Sequence, residues 1–415
     1  MSIYPDVTNF DGASLSKIED NLKYKYTKYV EFQGKNHKPL TNRIKNGPIR
    51  TQDGSTGKQI VMGLKYGLPQ GHGFAPEAGS LPKADYSKIK NGFLNAKYAY
   101  GTVQITGQAE AIASGGSASF VDQLATDLED VKDSILAREN KHYFGNGTGA
   151  LATVTDSTNK ATKKLVVADS SHLAEGFRAD IYTGNTLSAT NVKIASVDYD
   201  TNEVTFGASD DLDAVANGDI VYFAGSKGLA IDGLDSFCDV GTYAGIDGAL
   251  AGNSWWRANV LTNPAGAGTP RTLTRMLLRS AHREAYNKTS NWPTVLVSNN
   301  AVQDAYADSE MNDGQWRLPV KTIELGYEAV VYRNTPWICD EDCAGGKLYF
   351  LNEKNIKFYV VKKWGFIQHE SGSIFRTSLG NSNYIDAKEA TMRKYYNLGC
   401  DNRRAQTVLC DLAES

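Results

Sequence analysis

Residue types able to carry chemistry are few and scattered in this chain. The six histidines, His37, His72, His142, His172, His282 and His369, are isolated from one another in sequence, so no pair has the spacing of metal ligands or of an acid–base couple. Asp340, Glu341 and Asp342, flanked by Cys339 and Cys343, form the densest acidic cluster. Three such carboxylates can hold a hard cation, but a turn puts the same residues in water, and a solvated turn is the expectation. The five cysteines, Cys238, Cys339, Cys343, Cys400 and Cys410, are odd in number and form no paired CxxC. Free thiols are therefore expected, with neither a disulfide framework nor a zinc site. The nucleophile elbow GxSxG, the zinc helix HExxH and the phosphate loop GxxxxGK are absent. Gly145, Gly147 and Gly149 lie in a GNGTG run that follows a helical segment and not a strand, so it reads as a turn and not as a phosphate cradle. No catalytic, cofactor or metal residue follows from these patterns, and the expectation is a protein that is not an enzyme.

The elements that would position any site are more legible. From Ser117 to Gly149, Val121, Leu124, Leu128, Val131 and Ile135 recur at alternating intervals of three and four, one stripe of a long helix. Ser119 and Asp122 supply an amino-terminal cap, and Gly145, Gly147 and Gly149 supply the positive-φ positions at which a helix stops. A helix of about 26 residues spans roughly 39 Å. With so narrow a stripe it must lie along something flat, and the sheet begun by Val103 and Ile105 is the nearest candidate.

At 415 residues, with 41% hydrophobic and 22% charged residues and 39 glycines, the chain is long enough for two or three domains and reads as folded and turn-rich. No apolar run approaches the ~18 residues of a membrane helix. The start, MSIYPDVTNFDG, lacks a basic-then-apolar leader, so a cytoplasmic protein is expected. The net charge of −3 hides an asymmetry: residues 1–100 carry 15 Lys and Arg against 8 Asp and Glu, leaving 29 against 39 for the rest. Opposite charge at the two ends suits head-to-tail association of copies. The basic residues are spread out and not blocked together, which argues against sequence-specific nucleic-acid recognition.

In chain order, Ser16 and Glu19 cap a short amphipathic helix over 17–32 that carries Leu22 and Tyr26. Between Asn46 and Tyr98 glycine and proline recur every few residues, and alternation is confined to Ile60, Met62 and Leu64. Ordering fifty such residues costs about 1 to 2 kcal/mol each with little burial to offset it. An extended β-hairpin laid on a neighbouring subunit would recover that burial, which makes Ile60, Met62, Leu64, Tyr66, Phe74, Leu22 and Tyr26 the expected subunit-contact residues. Lys58 and Lys65 in the same stretch read as surface charge. Short strands separated by Asn, Asp, Gly and Ser over residues 156–228 read as a small antiparallel barrel or sandwich inserted between helix-containing segments. From 229 onward α/β character returns: Thr269 and Pro270 begin an amphipathic helix reaching about Lys288, WPTVLVSN is a buried-type strand, and VQDAYADSE is a further helix. Four strand-like runs follow, VKTIELGYEAVVYR, TPWICD, GKLYFLN and IKFYVVKKWGF.

Four of these features in order, VQITGQAEAIASGG leading into the long helix, its exit through RENKHYFGNGTG, WPTVLVSNNAVQDAY, and VVYRNTPWICDEDCAGGKLYFLN, resemble the major capsid proteins of tailed bacteriophages with the Hong Kong 97-type fold. The resemblance implies an α+β chain with a long spine helix on a β-sheet, an axial α/β domain, an extended β-hairpin loop and, here, an inserted small all-β domain. Mapped onto this sequence, it implies an N-terminal arm at 1–45, the extended loop at 46–100, and a peripheral domain with the spine helix at 101–155. Segments near 315–340 and 385–415 would return to that peripheral domain, with the inserted β-domain at 156–228 and the axial domain at 229–384. It implies self-assembly into homo-pentamers and homo-hexamers of an icosahedral shell around double-stranded DNA held non-specifically. Portal, separate scaffolding and decoration proteins are the other implied partners; no cofactor and no membrane are involved. The implied place is the virion, with assembly in the host bacterial cytoplasm. An encapsulin-type protein compartment is the rival within the fold, and a soluble β-rich hydrolase or binding protein the rival outside it.

Overall fold

The computed structural model describes residues 39–46, 49–53, 59–77, 79–108, 123–312, 320–322, 328–368, 375–380 and 383–414. Their helices are α1 (Pro39–Asn46), α2 (Gln123–Phe144), α3 (Leu234–Phe237), α4 (Arg275–Thr289) and α5 (Asn300–Asn312). The first strands are β1 (Arg50–Asp53), β2 (Ile60–Gly67), β3 (Lys88–Leu94) and β4 (Lys97–Thr106). A second group comprises β5 (Ala150–Asp156), β6 (Lys164–Val167), β7 (Arg178–Thr183), β8 (Thr186–Asp198), β9 (Glu203–Phe206) and β10 (Ile220–Phe223). Next come β11 (Thr242–Tyr243), β12 (Ile246–Asp247), β13 (Asn259–Leu261), β14 (Val295–Ser298), β15 (Val320–Thr322), β16 (Glu328–Tyr332) and β17 (Thr335–Cys339). The last are β18 (Leu348–Leu351), β19 (Ile356–Phe366), β20 (Phe375–Gly380), β21 (Asn383–Cys400) and β22 (Thr407–Leu409). The expected helix at 17–32, and Ser119 and Asp122 as a cap, lie outside the described residues.

A five-stranded sheet is built on β21, whose 18 residues span about 60 Å at ~3.3 Å each. One edge of β21 pairs with β4; the other pairs with β20 and then β19, which lie end to end, and β1 adds in parallel to β19. Helix α2 lies on this sheet over β4. The close approach needs a glycine: a Cβ on Gly101 would fall 2.5 Å from Ile135 Cδ1 and 2.9 Å from Val131 Cγ1. Further along the helix a buried ion pair joins the two layers, with Lys394 Nζ 2.6 Å from Glu139 Oε1 and 3.8 Å above the Tyr396 ring. Gly147 and Gly149 take φ of +84° and +83°, turning the chain out of the helix, whereas Gly145 keeps a negative φ and donates its N–H to the His142 carbonyl at 3.1 Å.

The second sheet has seven strands in the order β13-β22-β18-β14-β17-β16-β15. All four residues of β14 and of β18 are buried, as continuous apolar runs covered on both faces should be. On one face Leu296, Phe350, Trp337 and Leu409 meet Leu278 and Ala281 of α4 and Val302 and Tyr306 of α5. On the other, Val295, Val297, Ile338, Tyr349 and Leu351 join the large core that also takes Tyr143, Phe144, Phe358 and Tyr396. The cap of α4 is Thr274 and not Thr269: Thr274 Oγ1 accepts the Leu277 N–H at 3.3 Å.

Strands β5 to β10 close a barrel in the order β10-β5-β6-β9-β8-β7 around its own core of Leu151, Val154, Leu165, Phe177, Ile181, Ile194, Val204, Phe206 and Val221. The barrel therefore begins at Ala150, six residues before the expected boundary at 156. Its two ends meet, since Gly228 N–H donates to the Thr148 carbonyl at 2.7 Å.

Three assignments from sequence need correction. Residues 39–45 are not part of an arm, because Leu40 and Ile44 are buried in the main core and Arg43 makes a bidentate pair with Glu353 at 2.7 and 2.9 Å. The segment near 315–340 supplies β15, β16 and β17 to the seven-stranded sheet and does not return to the sheet beneath α2; β19 and β20 take that place instead. Strand β22, in 385–415, likewise belongs to the seven-stranded sheet.

Gly101→Ala should destabilise the subunit by about 1–3 kcal/mol in urea, because the added methyl overpacks the α2–β4 seam. Gly63→Ala, with nothing within 4 Å of its Cβ position, should cost less than about 0.5 kcal/mol or stabilise; equal losses would show that the seam is not tight. Residues 146–230 expressed alone should give a dispersed amide proton spectrum, and a random-coil spectrum would show that the barrel depends on the rest of the chain.

Candidate assembly surface

Strands β2 and β3 form an antiparallel hairpin from Ile60↔Leu94 to Gly67↔Lys88. Its root is fixed to its own subunit. Ile60, Met62, Leu64 and Leu94 are buried in the main core, Phe93 N–H donates to the Ala244 carbonyl at 2.9 Å, and Tyr66 stacks on Trp255 at 4.5 Å and 13°. The alternation in the sequence is therefore a core signal. Ile60, Met62 and Leu64 are corrected to core residues: side chains 2 to 4% exposed have nothing left to offer a neighbour. Tyr66 keeps an exposed edge although one ring face is taken by Trp255. Leu22 and Tyr26 lie outside the described residues.

Beyond the ladder the two arms run on side by side. Gln70 N–H donates to the Asp85 carboxylate at 2.9 Å, which holds that group below the usual carboxylate range, and a Cβ on Gly71 would fall 2.9 Å from the Lys83 carbonyl. This tip exposes Leu68, Phe74, Leu81, Tyr86 and, at the end of the ladder, Ile89; Phe74 is fully exposed. Five large apolar side chains on one projection amount to a patch that water-soluble monomers rarely carry. Burying each is worth about 1.5–3 kcal/mol, which the chain's own core does not supply. Pro69, Pro76 and Pro82 restrict the extended arms and lower the entropy cost of docking. Of the expected contact residues that are described, Phe74 alone is wholly free of the chain's own core; Leu68, Leu81, Tyr86 and Ile89 were missed because they fall outside any periodic pattern.

Asp340 and Asp342 do not sit in a solvated turn. Asp340 is 1% exposed. It accepts the Leu40 N–H at 3.2 Å, Asn140 Nδ2 at 2.9 Å and the Asp342 N–H at 3.1 Å. Asn140 Nδ2 also donates to Asp342 at 2.6 Å, while Asn140 Oδ1 accepts from the Thr41 hydroxyl at 2.8 Å. His172, from the barrel, sits 2.5 Å from Asp342 Oδ1. The junction thus ties α1, α2, the barrel and the β17–β18 loop together. Burial pushes the Asp340 carboxyl up to about 6, assisted by the neighbouring Asp342 charge. Asp342, although burial opposes its charge, is held below the usual range by His172 and Asn140.

Burial shifts two of the histidines and all five cysteines. Burial, with His172 beside it, pushes His142 down to about 4, and burial does the same to His282. Burial raises all five thiols, Cys339 and Cys400 to about 12. All five are free. Among the described residues no group of three His, Cys, Asp or Glu side chains is placed to hold a metal ion, and no helix is long and apolar enough to cross a membrane.

The mixed α+β fold, with its long helix on a long sheet, its second sheet and its projecting hairpin, matches solved bacteriophage capsid structures. The chain is similar to the subunit of the cyanophage A-1(L) capsid, with 14% identity, 94% of this chain and 97% of that one covered, and a TM-score of 0.57. It is also similar to the capsid subunit of a native GTA particle, at 10% identity with 97% and 99% covered and a TM-score of 0.50. A weaker likeness, with a TM-score of 0.45 and 10% identity over 93% of each chain, is to the SrpI encapsulin of Synechococcus elongatus PCC 7942. The sequence matches no protein-family model and no curated protein.

The junction has a measurable pH signature. Asp340 holds its proton more tightly in the folded chain (about 6) than an unfolded aspartate does (about 3.9), so its contribution to stability falls as pH rises through that window. Asp340→Asn, which mimics the protonated side chain, should therefore gain on the parent by about 2 kcal/mol between pH 4 and pH 6.5 in urea titrations. A constant difference across that range would place the titration elsewhere.

Proposed function

We propose that the chain is a major capsid protein of the Hong Kong 97 type, which self-assembles through pentamers and hexamers into an icosahedral shell enclosing double-stranded DNA. The observation that supports this is the agreement in fold over 94% of this chain and 97% of a phage capsid subunit, in a chain whose hairpin tip has no cover of its own. On this reading α2 on its sheet is the spine of a peripheral domain, and the seven-stranded sheet with α4 and α5 is the axial domain. The β2–β3 hairpin is the extended loop, and the barrel is an inserted domain that braces neighbours or faces outward. The subunit is structural and not an enzyme. Its partners are copies of itself, a portal, a scaffolding protein, a possible decoration protein and packaged DNA bound without sequence preference; it resides in the virion after assembly in the host bacterial cytoplasm. Negative-stain microscopy of the purified protein should show pentamers, hexamers or uniform shells, and a persistent monomer at assembly concentrations would refute the proposal.

The hairpin separates folding from assembly. Replacing residues 69–86 by a short Gly-Ser joint leaves the core anchors Ile60, Met62, Leu64 and Leu94 in place, so the melting temperature should change by only a few degrees. Shell formation should fail, because each copy no longer reaches onto the next and modest contacts sum over a closed shell. Phe74→Glu with Leu81→Glu should act in the same way, whereas Met62→Glu should unfold the subunit by burying a carboxylate in its core. Normal shells from the tip deletion, seen by sedimentation, would exclude an intersubunit role for it.

A further inference from the structure

Helices α4 and α5 lie on one face of the seven-stranded sheet and each buries one side there, α4 through Leu278 and Ala281, α5 through Val302 and Tyr306. Their outward sides carry opposite charge. Arg279 and Arg283 of α4 are exposed, as are Asp304 and Asp308 of α5. Each pair is four residues apart, about 6 Å along its helix. Composition sharpens the contrast: residues 265–290 hold five Lys and Arg against the single carboxylate of Glu284, whereas α5 holds Asp304, Asp308 and Glu310 and neither Lys nor Arg. Like charges at this spacing repel and weaken a helix. Among the described residues no hydrogen bond, ion pair or ring contact engages any of the four side chains, although Lys288 on the same helix is paired with Glu284 at 2.9 Å. Both helices therefore keep a repulsion that their own subunit does not relieve. Met276 and Tyr286 flank the arginines at steps of three, so 276, 279, 283 and 286 form one stripe. Met276 is 80% exposed, and Tyr286 stacks at 4.2 Å and 14° on Trp292, itself 45% exposed. Methionine, aromatic and arginine side chains are the types enriched where proteins meet.

We infer that the Arg279–Arg283 face of α4 docks on the Asp304–Asp308 face of α5 in a second copy of the chain. Charge complementarity and equal spacing select this occupant. Two helices laid side by side bring both guanidinium groups against both carboxylates at once, each pair able to form the forked hydrogen bonds of arginine with a carboxylate. One chain supplies both halves, so the contact is heterologous: the surface used on one copy differs from the surface used on the next. Repeated by a rotation, such a contact closes a ring. The inference rests on the capsid reading, whose pentamers and hexamers are rings, and goes beyond it by naming the two faces and the pairing that joins them. It is separate from the hairpin tip, where the exposed large side chains are apolar.

The test is a charge swap in the full-length chain, read by sedimentation velocity, with circular dichroism to establish that each variant is folded. Arg279→Glu with Arg283→Glu, and separately Asp304→Lys with Asp308→Lys, set like charges against each other and should raise the concentration needed for half-assembly at least about tenfold. Reversing all four residues restores opposite charges and should return that concentration to within about threefold of the parent's. Arg279→Gln with Arg283→Gln should weaken assembly less than reversal does and flatten its dependence on salt, since exposed charge pairs are screened. The Gln pair keeps α4 polar, so a folding defect in a reversed variant leaves the test decided by it. A folded double variant that assembles at the parent's concentration and with the parent's salt dependence would overturn the inference. A folded four-residue variant that stays dissociated would overturn it equally, because the arginines and the aspartates would then answer to partners other than each other. In both cases the parent's own assembly leaves the capsid reading standing, whereas a parent that remains monomeric overturns that reading and the inference with it.

Discussion

The packing of α2 on the sheet under it is the constraint on which the rest of the subunit depends. A helix can approach a strand this closely only where the strand lacks a side chain, and Gly101 supplies that gap beneath Val131 and Ile135. The seam then runs into a buried charge pair, Glu139 with Lys394, whose side chains are 3% and 6% exposed. Such a pair adds little net stability over an apolar one, because desolvation consumes most of the attraction, but either partner alone in the same place would cost about 3–5 kcal/mol. The ammonium also lies 3.8 Å from the centre of the Tyr396 ring and 5.1 Å from that of Phe358, so the pair is enclosed by the two layers it joins.

From that fixed helix the other parts take their positions. The helix ends where Gly147 and Gly149 adopt positive φ, and Gly233 packs so closely on this turn that a Cβ there would fall 2.5 Å from the Tyr143 and Gly145 carbonyls. The barrel leaves and rejoins the body at this place. It is also held from the side, by Arg138 of α2 over Phe177 at 4.7 Å and by His172 against Asp342. Asn140, one residue after Glu139, reaches α1 through Thr41 and the β17–β18 loop through Asp340 and Asp342. Two consecutive helical residues thus hold the sheet on one side and two other segments on the other.

How much of this was legible in the sequence depends on whether a feature is local. The helical stripe is local and ends in the residues that touch Gly101, and five of the six barrel strands were visible as short apolar runs between turn residues. The sixth, Ala150–Asp156, was missed because ALATVTD is rich in small residues and follows directly on a glycine turn. The hydrogen bonds of Asn140 to Asp340 and of His172 to Asp342 cross 200 and 170 residues, and no spacing rule reaches that far. Read locally, Asp340–Asp342 is a turn; only the fold shows that the turn is buried. The same limit explains the assignment of residues 315–340 to the wrong sheet, since strand type is a local property and strand partner is not. Burial of Ile60, Met62 and Leu64 was misattributed for a related reason. Alternation reports that one face is covered, and it carries no information on whether the cover belongs to the same chain.

That ambiguity has a physical resolution in the hairpin, and it separates what folds from what assembles. Near the root every second residue is buried by the chain itself, and the hairpin is further pinned by the Tyr66–Trp255 stack and the Phe93–Ala244 hydrogen bond. Past Gly67 the ladder stops, prolines replace hydrogen-bonding residues, and the large apolar side chains are exposed. A rigid root with an apolar, entropically restricted tip concentrates the adaptable part of the molecule in about twenty residues. Movement there costs the fold little, because the core lies elsewhere, and the apolar area left exposed at the tip is burial that folding left undone. The tip can therefore change its conformation while the α2 seam stays fixed.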